Sequence, residues 1–168
     1  MSNYKAYYVL ISQDEALRIW QCTHASNIDI LDIFWYGCKR LSDIITYLNL
    51  GYTFHTTQRL PFGQIEYFIL NFQLQYDPES TSALGYLGCQ EIGTEDLNFH
   101  NYIATIQKFY HLPSPLHAIK IAIFLYIELL DMEEQGIHFL IRRKTPDKIY
   151  STRIHINICE SAHRPLPF

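Results

Sequence analysis

The chain has 168 residues, of which 48% are hydrophobic, 15% are aromatic and 18% are charged, and its net charge is −4. This profile excludes an intrinsically disordered protein, because a chain of this length and composition can bury a large core. It predicts a single domain over residues 1–168. The negative net charge also disfavours a nucleic-acid partner, since such binding depends on Lys and Arg to neutralise phosphates, and we expect none.

The longest apolar run, Ile119 to Leu130, is interrupted by Lys120 and Glu128 and is too short to cross a bilayer, so we expect no membrane partner. The cysteines lack the paired spacing of disulfide frameworks, and no basic-then-apolar leader opens the chain. We therefore expect reduced thiols and a cytoplasmic protein. The four cysteines are Cys22, Cys38, Cys89 and Cys159.

The first part of the chain is predicted to form a strand and two helices. Residues Tyr4–Ser12 are rich in Tyr, Val and Ile, and the polar residues after them open an amphipathic helix. Ser26 and Asp29 resemble a capping box at the start of a long helix, whose apolar positions recur from Ile28 to Leu48 and which has Gly37 as its weak point. The alternative is a break at residues 33–38, where an aromatic stretch could form a strand.

The middle of the chain is predicted to form a hairpin of residues 52–60 and 65–76. The second of these strands alternates apolar and polar residues, and Pro61 and Gly63 supply the turn. Residues 77–93 form a segment rich in Gly and Ser, and this segment is unusually long for a connection in a compact domain. They either contain a short strand at residues 83–92 or form a functional loop.

The last part of the chain is predicted to form two helices and a second hairpin. Thr94 caps the first helix, and Ser114 with Pro115 starts a helix that is apolar nearly all round and stops at Gly136. Two strands then flank a turn at residues 145–147. The pattern predicts an α+β fold, with a mixed or antiparallel sheet of the N-terminal strand and both hairpins packed against three to four helices.

The register of the last hairpin follows if Pro146 and Asp147 lie at the centre of its turn. One face then pairs Phe139 with Ile154 and Ile141 with Thr152. The other face pairs Leu140 with Arg153 and His138 with His155, and Arg142 lies beside them. This cluster of His138, Arg142, Arg153 and His155 could bind a phosphate or carboxylate, or serve in catalysis. The alternative is an ordinary solvated sheet face.

Acidic residues gather at the end of the helix before this hairpin, where the helix dipole favours cations. They are Glu128, Asp131, Glu133 and Glu134. Residues 135–168 carry six basic and two acidic side chains, whereas residues 1–134 carry seven basic and fifteen acidic ones. Either Arg142, Arg143 or Lys148 compensates the acidic end internally, or a basic protein partner binds it.

No sequence motif indicates catalysis or a cofactor. The chain lacks a Gly-x-Ser-x-Gly nucleophile turn and a phosphate-binding Gly-rich loop with its Lys, and its His and Cys spacing fits no zinc pattern. We therefore expect no catalytic residues, no metal and no cofactor.

Three classes of function are compatible with these features. The favoured one is an intracellular protein-binding module that inhibits or neutralises another protein, as an immunity protein, antitoxin or phage inhibitor does, through an acidic, Tyr-rich surface with Glu128, Asp131, Glu133 and Glu134. The alternative is a small transferase or hydrolase that uses His138, Arg153 and His155. A third is a structural subunit with an exposed Tyr-rich face.

Overall fold

A computed structural model describes residues 4–26, 29–63, 65–69 and 86–157 of the chain. Over these residues the order of elements is β1 (Lys5–Ser12), α1 (Gln13–Ser26), α2 (Ile30–Asn49), β2 (Thr53–Arg59), β3 (Ile65–Ile69), β4 (Tyr86–Thr94), α3 (Leu97–Phe109), α4 (Pro115–Glu134), β5 (His138–Lys144) and β6 (Ile149–Ile154). The sheets are antiparallel, β1 with β4 and β3-β2-β5-β6. The predicted α+β class is confirmed. The N-terminal strand, however, belongs to a sheet without the two hairpins.

The chain divides into two compact units, residues 1–42 with 74–127 and residues 43–73 with 128–168. The prediction of a single domain stays a prediction. In the first unit, β1 pairs with β4 from Lys5 opposite Thr94 to Ser12 opposite Tyr86. Of the two alternatives for residues 77–93, the strand is therefore the one found.

Strand β1 alternates as its sequence suggests. Tyr7, Val9 and Ile11 are buried, whereas Tyr8 and Leu10 are exposed. The buried face joins apolar residues of the helices, which form the core of the first unit. This core includes Ile19, Cys22, Ile33, Phe34, Cys38, Phe99, Ile103, Ile106, Ile119, Ile123 and Tyr126.

The starts of the helices correct two predictions. Ser26 is the last residue of α1 rather than the cap of the next helix, and the Ile33 amide donates to the Asp29 carbonyl at 3.1 Å. In α3 the cap is Asp96, whose side chain accepts from the Asn98 amide at 2.9 Å. Thr94, predicted to cap α3, instead accepts from the Asp96 amide at 2.9 Å. Each start therefore lies a few residues beyond its predicted position.

Helix α2 is continuous through residues 33–38, so the alternative strand there is wrong. Gly37 is a site of close packing rather than a weak point, because a β-carbon added to it would lie 3.2 Å from Tyr126 Cβ. The absence of a side chain at Gly37 lets the backbone of α2 approach Tyr126, which is only 1% exposed.

The second unit contains the four-stranded sheet. Its core face carries Phe54 on β2, Phe139 and Ile141 on β5 and Ile154 on β6, all buried, and the rings of Phe54 and Phe139 stack at 5.4 Å. Phe54 pairs with Ile141 and Thr56 with Phe139 across β2 and β5. The central hairpin is confirmed over β2 and β3, and residues 70–76 of its predicted second strand lie outside the described residues.

Helix α4 begins and ends where the sequence predicts. Ser114 Oγ accepts from the His117 amide at 3.4 Å just before Pro115. At the other end, Gly136 has φ of +88°, its amide donates to the Glu133 carbonyl, and the Ile137 amide donates to the Met132 carbonyl. This pair of bonds is a Schellman motif, which requires the left-handed conformation that Gly adopts without strain.

Candidate functional site

The acidic end of α4 is partly compensated by backbone amides. Glu133 accepts from the amide of Ile156 at 2.8 Å and from that of Asn157 at 3.2 Å, one bond to each carboxylate oxygen. The compensating groups for Glu133 are thus main-chain donors after β6. Glu128, Asp131 and Glu134 are exposed. Glu133 therefore holds the chain after β6, whereas the other three predicted partner-binding carboxylates are accessible to solvent.

Three tyrosines of the second unit lie beside basic residues, and two of them, Tyr47 and Tyr150, are exposed. The Tyr47 and Tyr52 rings meet edge to face at 5.4 Å, and the Arg143 guanidinium lies 5.8 Å from the Tyr52 ring centre. Arg143 pairs across strands with Tyr150, and Lys148 Nζ lies 5.0 Å from the Tyr150 ring centre. We call these five residues the tyrosine–arginine patch.

The tyrosine–arginine patch combines open rings with positive charge. Tyr47 is 38% exposed and Tyr150 is 44% exposed, and Arg143 and Lys148 are exposed as well. The sequence predicts abundant Tyr beside acidic residues, whereas these tyrosines lie beside cations. The residues of the patch come from the end of α2, the start of β2 and the last hairpin. Local sequence patterns do not indicate that these three segments lie side by side.

The predicted register of the last hairpin is confirmed over β5 and β6. Phe139 pairs with Ile154, Leu140 with Arg153 and Ile141 with Thr152. Thr145 and Lys148 close the turn, since the Thr145 amide donates to the Lys148 carbonyl at 2.8 Å.

The predicted pairing of two imidazoles is not part of this ladder. Pairing ends at Phe139 and Ile154, and His155 lies exposed beyond β6. His138 Nδ1 instead lies 2.7 Å from Arg153 Nη2. An arginine nitrogen can only donate, so His138 Nδ1 accepts and the ring proton is on Nε2.

His55, which the sequence analysis did not single out, lies on the same face of the sheet. It pairs with Leu140, between the rows of Arg142 and His138. Its Nε2 is 2.6 Å from Thr53 Oγ1, and that hydroxyl donates to the Arg142 carbonyl at 3.1 Å. The hydroxyl has one proton, so Nε2 must donate to it. We call Thr53, His55, His138, Arg142 and Arg153 the histidine–arginine face.

The environment of His55 keeps its ring neutral. The side chain is buried, and both burial and the nearby positive charge of Arg142 lower the pKa of His55 from its ordinary value of 6.5. The signal in the sequence is the alternation of β2, which places Thr53, His55 and Thr57 on one face. That signal needs the pairing of β2 with β5, which the sequence does not reveal.

A buried ion pair in the first unit was also missed. Lys120 Nζ on α4 lies 3.2 Å from Glu15 Oε1 on α1, and the side chains of Lys120 and Glu15 are 10% and 9% exposed. The pair borders an apolar pocket lined by Ile11, Ile19 and Phe34. The sequence signal is Ser12 three residues before Glu15, a capping-box spacing, and Ser12 Oγ accepts from the Glu15 amide at 3.3 Å. The Glu15 carboxylate bonds to Lys120.

The two cysteines whose side chains the structure describes are buried thiols. Cys22 and Cys38 are not joined in a disulfide, and burial raises the pKa of the Cys38 thiol well above its ordinary value. A thiol that stays protonated is a poor nucleophile. Cys38 is therefore not a candidate for covalent catalysis.

Metal-binding clusters and membrane-spanning helices are absent from the described part of the chain. Among the described residues, no three His, Cys, Asp or Glu side chains come together so that they could hold a metal ion. No helix within the described ranges is long and apolar enough to span a bilayer. No family model, no curated protein and no solved structure matches the chain.

Proposed function

We propose that this chain is a protein-binding module and that the tyrosine–arginine patch is its contact surface. The observation that carries the proposal is the chain of contacts from Tyr47 through Tyr52 and Arg143 to Tyr150, with exposed rings at both ends. Tyr and Arg are enriched in the residues that dominate the energy of protein interfaces.

The contacts within the patch reduce the cost of binding. A long cationic side chain or a mobile ring loses conformational entropy when a partner immobilises it, at about 0.5–1.5 kcal/mol each. Arg143 already lies against Tyr52, and Lys148 against Tyr150. Side chains held before binding have less entropy to lose, so they favour recognition.

The charge of the patch favours an acidic partner surface. Arg143 lies against the Tyr52 ring and pairs with Tyr150, and Lys148 lies against the Tyr150 ring, so the charged groups of the patch are cations. Charge complementarity increases the rate of association and selects the partner. A basic partner at Glu128, Asp131 and Glu134 stays a prediction, and the two surfaces can be tested side by side.

Inhibition of the partner in the cytoplasm, as an immunity protein, antitoxin or phage inhibitor would provide, is the form of this function that the sequence favours. The reduced, buried thiols of Cys22 and Cys38 support a reducing compartment. Occupying a partner requires only a surface, so such a role needs no catalytic group in this chain.

The experiment compares three double variants with the wild-type protein in capture from the native lysate. Arg143→Glu with Tyr150→Ala alters the patch. Lys5→Glu with Tyr8→Ala is the matched control, since it removes one exposed cation and one exposed Tyr from β1. Asp131→Lys with Glu134→Lys alters the acidic end of α4. Circular dichroism checks that each variant folds.

The proposal expects a protein that the wild type and the β1 control retain and that the patch variant loses. Loss of a central interface residue costs about 2 kcal/mol or more, which is roughly thirtyfold in Kd. A partner lost only with the α4 variant would overturn the patch as the contact surface and support a basic partner instead. If the wild type retains nothing, the binding function itself is wrong.

A further inference from the structure

The histidine–arginine face carries charge of a single sign. Side chains on this face of β2, β5 and β6 include four Lys or Arg residues, two His residues and no carboxylate, because none of these three strands contains Asp or Glu. Besides the five residues that define the histidine–arginine face, the same side of these strands carries Thr57, Arg59, Leu140, Lys144, Ile149 and Ser151. An anion near these strands therefore meets no repelling group on them.

Hydrogen-bond donors on this face lie close to one another. Ser151 pairs directly with Arg142 and lies two residues from Arg153 on the same strand. Diagonal neighbours in a sheet are about 7–8 Å apart, within the reach of two Arg side chains. The Ser151 hydroxyl thus lies between the residues that carry the two guanidinium groups.

The proton positions on this face suit an acceptor ligand. Arg153 donates to His138 Nδ1, so this bond leaves the Nε2 proton of His138 as a donor. The same bond restrains the Arg153 side chain. At the neighbouring row, neutral His55 donates to Thr53, which in turn donates to the Arg142 carbonyl and ties Thr53 to the backbone of β5.

We propose that the histidine–arginine face binds a phosphate group through Arg142, Arg153, Ser151 and His138. Guanidinium groups bind phosphate oxygens in pairs of charge-assisted hydrogen bonds. A phosphate monoester presents three strong acceptor oxygens, whereas a carboxylate presents two. Two guanidinium groups, a hydroxyl and an imidazole N–H therefore match a phosphate better.

The test is titration with inorganic phosphate and with methyl phosphate, monitored by backbone amide NMR at constant ionic strength, with acetate as the comparison anion. Arg142→Gln and Arg153→Gln remove one cation each from the face. Arg143→Gln is the matched control, because it removes the same charge from the next residue, whose side chain lies on the opposite side of the sheet. Arg153 is exposed, so its variant keeps the test valid if Arg142→Gln fails to fold.

The expected result is a saturable shift of the amides of residues 138–142 and 151–153 in inorganic phosphate, weakened at least tenfold by Arg153→Gln and unchanged by Arg143→Gln. If methyl phosphate binds as tightly as inorganic phosphate, the natural ligand is a phosphate group on a larger molecule. If methyl phosphate does not bind, the natural ligand is the free phosphate ion. Either result supports the site. Equal shifts in acetate overturn the phosphate class. If Arg143→Gln weakens phosphate binding as much as Arg153→Gln does, or if the amide shifts do not saturate with phosphate, the proposed site is wrong.

Discussion

Breaking the Glu15–Lys120 pair by changing one partner should destabilise the first unit strongly. Lys120→Met removes the cation and leaves the Glu15 carboxylate, 9% exposed, beside an apolar pocket. A buried charge without its partner costs about 3–5 kcal/mol, whereas an exposed pair contributes only about 0.2–1 kcal/mol. Because the Glu15–Lys120 pair is buried, we expect Lys120→Met to lower the free energy of unfolding by at least about 3 kcal/mol.

Replacing both partners should restore most of that loss. Glu15→Leu with Lys120→Met puts two apolar side chains against Ile11, Ile19 and Phe34. Apolar replacement of a buried pair is commonly neutral or stabilising. Glu15 also lies in the first turn of α1, where a carboxylate contributes about 0.3–1 kcal/mol. The free energy of unfolding of the double variant should therefore lie within about 1 kcal/mol of the wild-type value.

The assay is urea unfolding followed by tryptophan fluorescence, because both tryptophans, Trp20 and Trp35, belong to the first unit. Asp14→Asn is the control, since Asp14 lies in the same helical turn but is exposed, and it should change stability by less than about 1 kcal/mol. If Lys120→Met costs less than about 1 kcal/mol, or if the double variant costs the sum of the single ones, the reasoning fails.

Three more predictions concern single residues. The folded-state pKa of His55 lies below 6.5, so the folded protein binds fewer protons than the unfolded chain, and stability should fall as the pH drops from about 6.5 towards that lower pKa. His55→Gln should reduce this fall in urea titrations at pH 7 and 5, and an unchanged fall would exclude His55 as its source. Gly37→Ala should destabilise by about 1 kcal/mol in thermal unfolding, since crowding of Tyr126 outweighs the gain of up to about 1 kcal/mol in helix propensity; a stabilised variant would mean that Tyr126 shifts freely. Glu133→Ala should cost about 2–3 kcal/mol through two lost charge-assisted bonds, whereas exposed Glu134→Ala should change stability by less than about 0.5 kcal/mol, and equal effects would show that the bonds to Ile156 and Asn157 contribute little.

Local patterns were sufficient for most elements of the fold. The register of the last hairpin follows from a short turn, because turn geometry fixes which residues face each other. The end of α4 follows from Gly136, because few residues adopt its φ. Helix starts were less predictable. Ser26 and Thr94 are both good capping residues, yet each lies a few residues before the position where its helix begins.

The candidate sites depend on contacts between residues far apart in sequence. Glu15 and Lys120 are 105 residues apart, and nothing near either one indicates the other. His55 joins the histidine–arginine face only through the pairing of β2 with β5. Of the predicted cluster, His138, Arg142 and Arg153 do share that face, whereas His155 lies beyond the end of β6. Sequence therefore found the hairpin half of the face and missed the half from β2.

The Glu15–Lys120 pair also constrains how this sequence can change over evolutionary time. Any path that loses one charge first passes through a form with an unpaired buried ion, and that form is much less stable than either end point. Relatives of this chain should therefore keep both residues or replace both with apolar ones. A relative with only one of the two would be expected to carry a new partner for it in the wall of the same pocket.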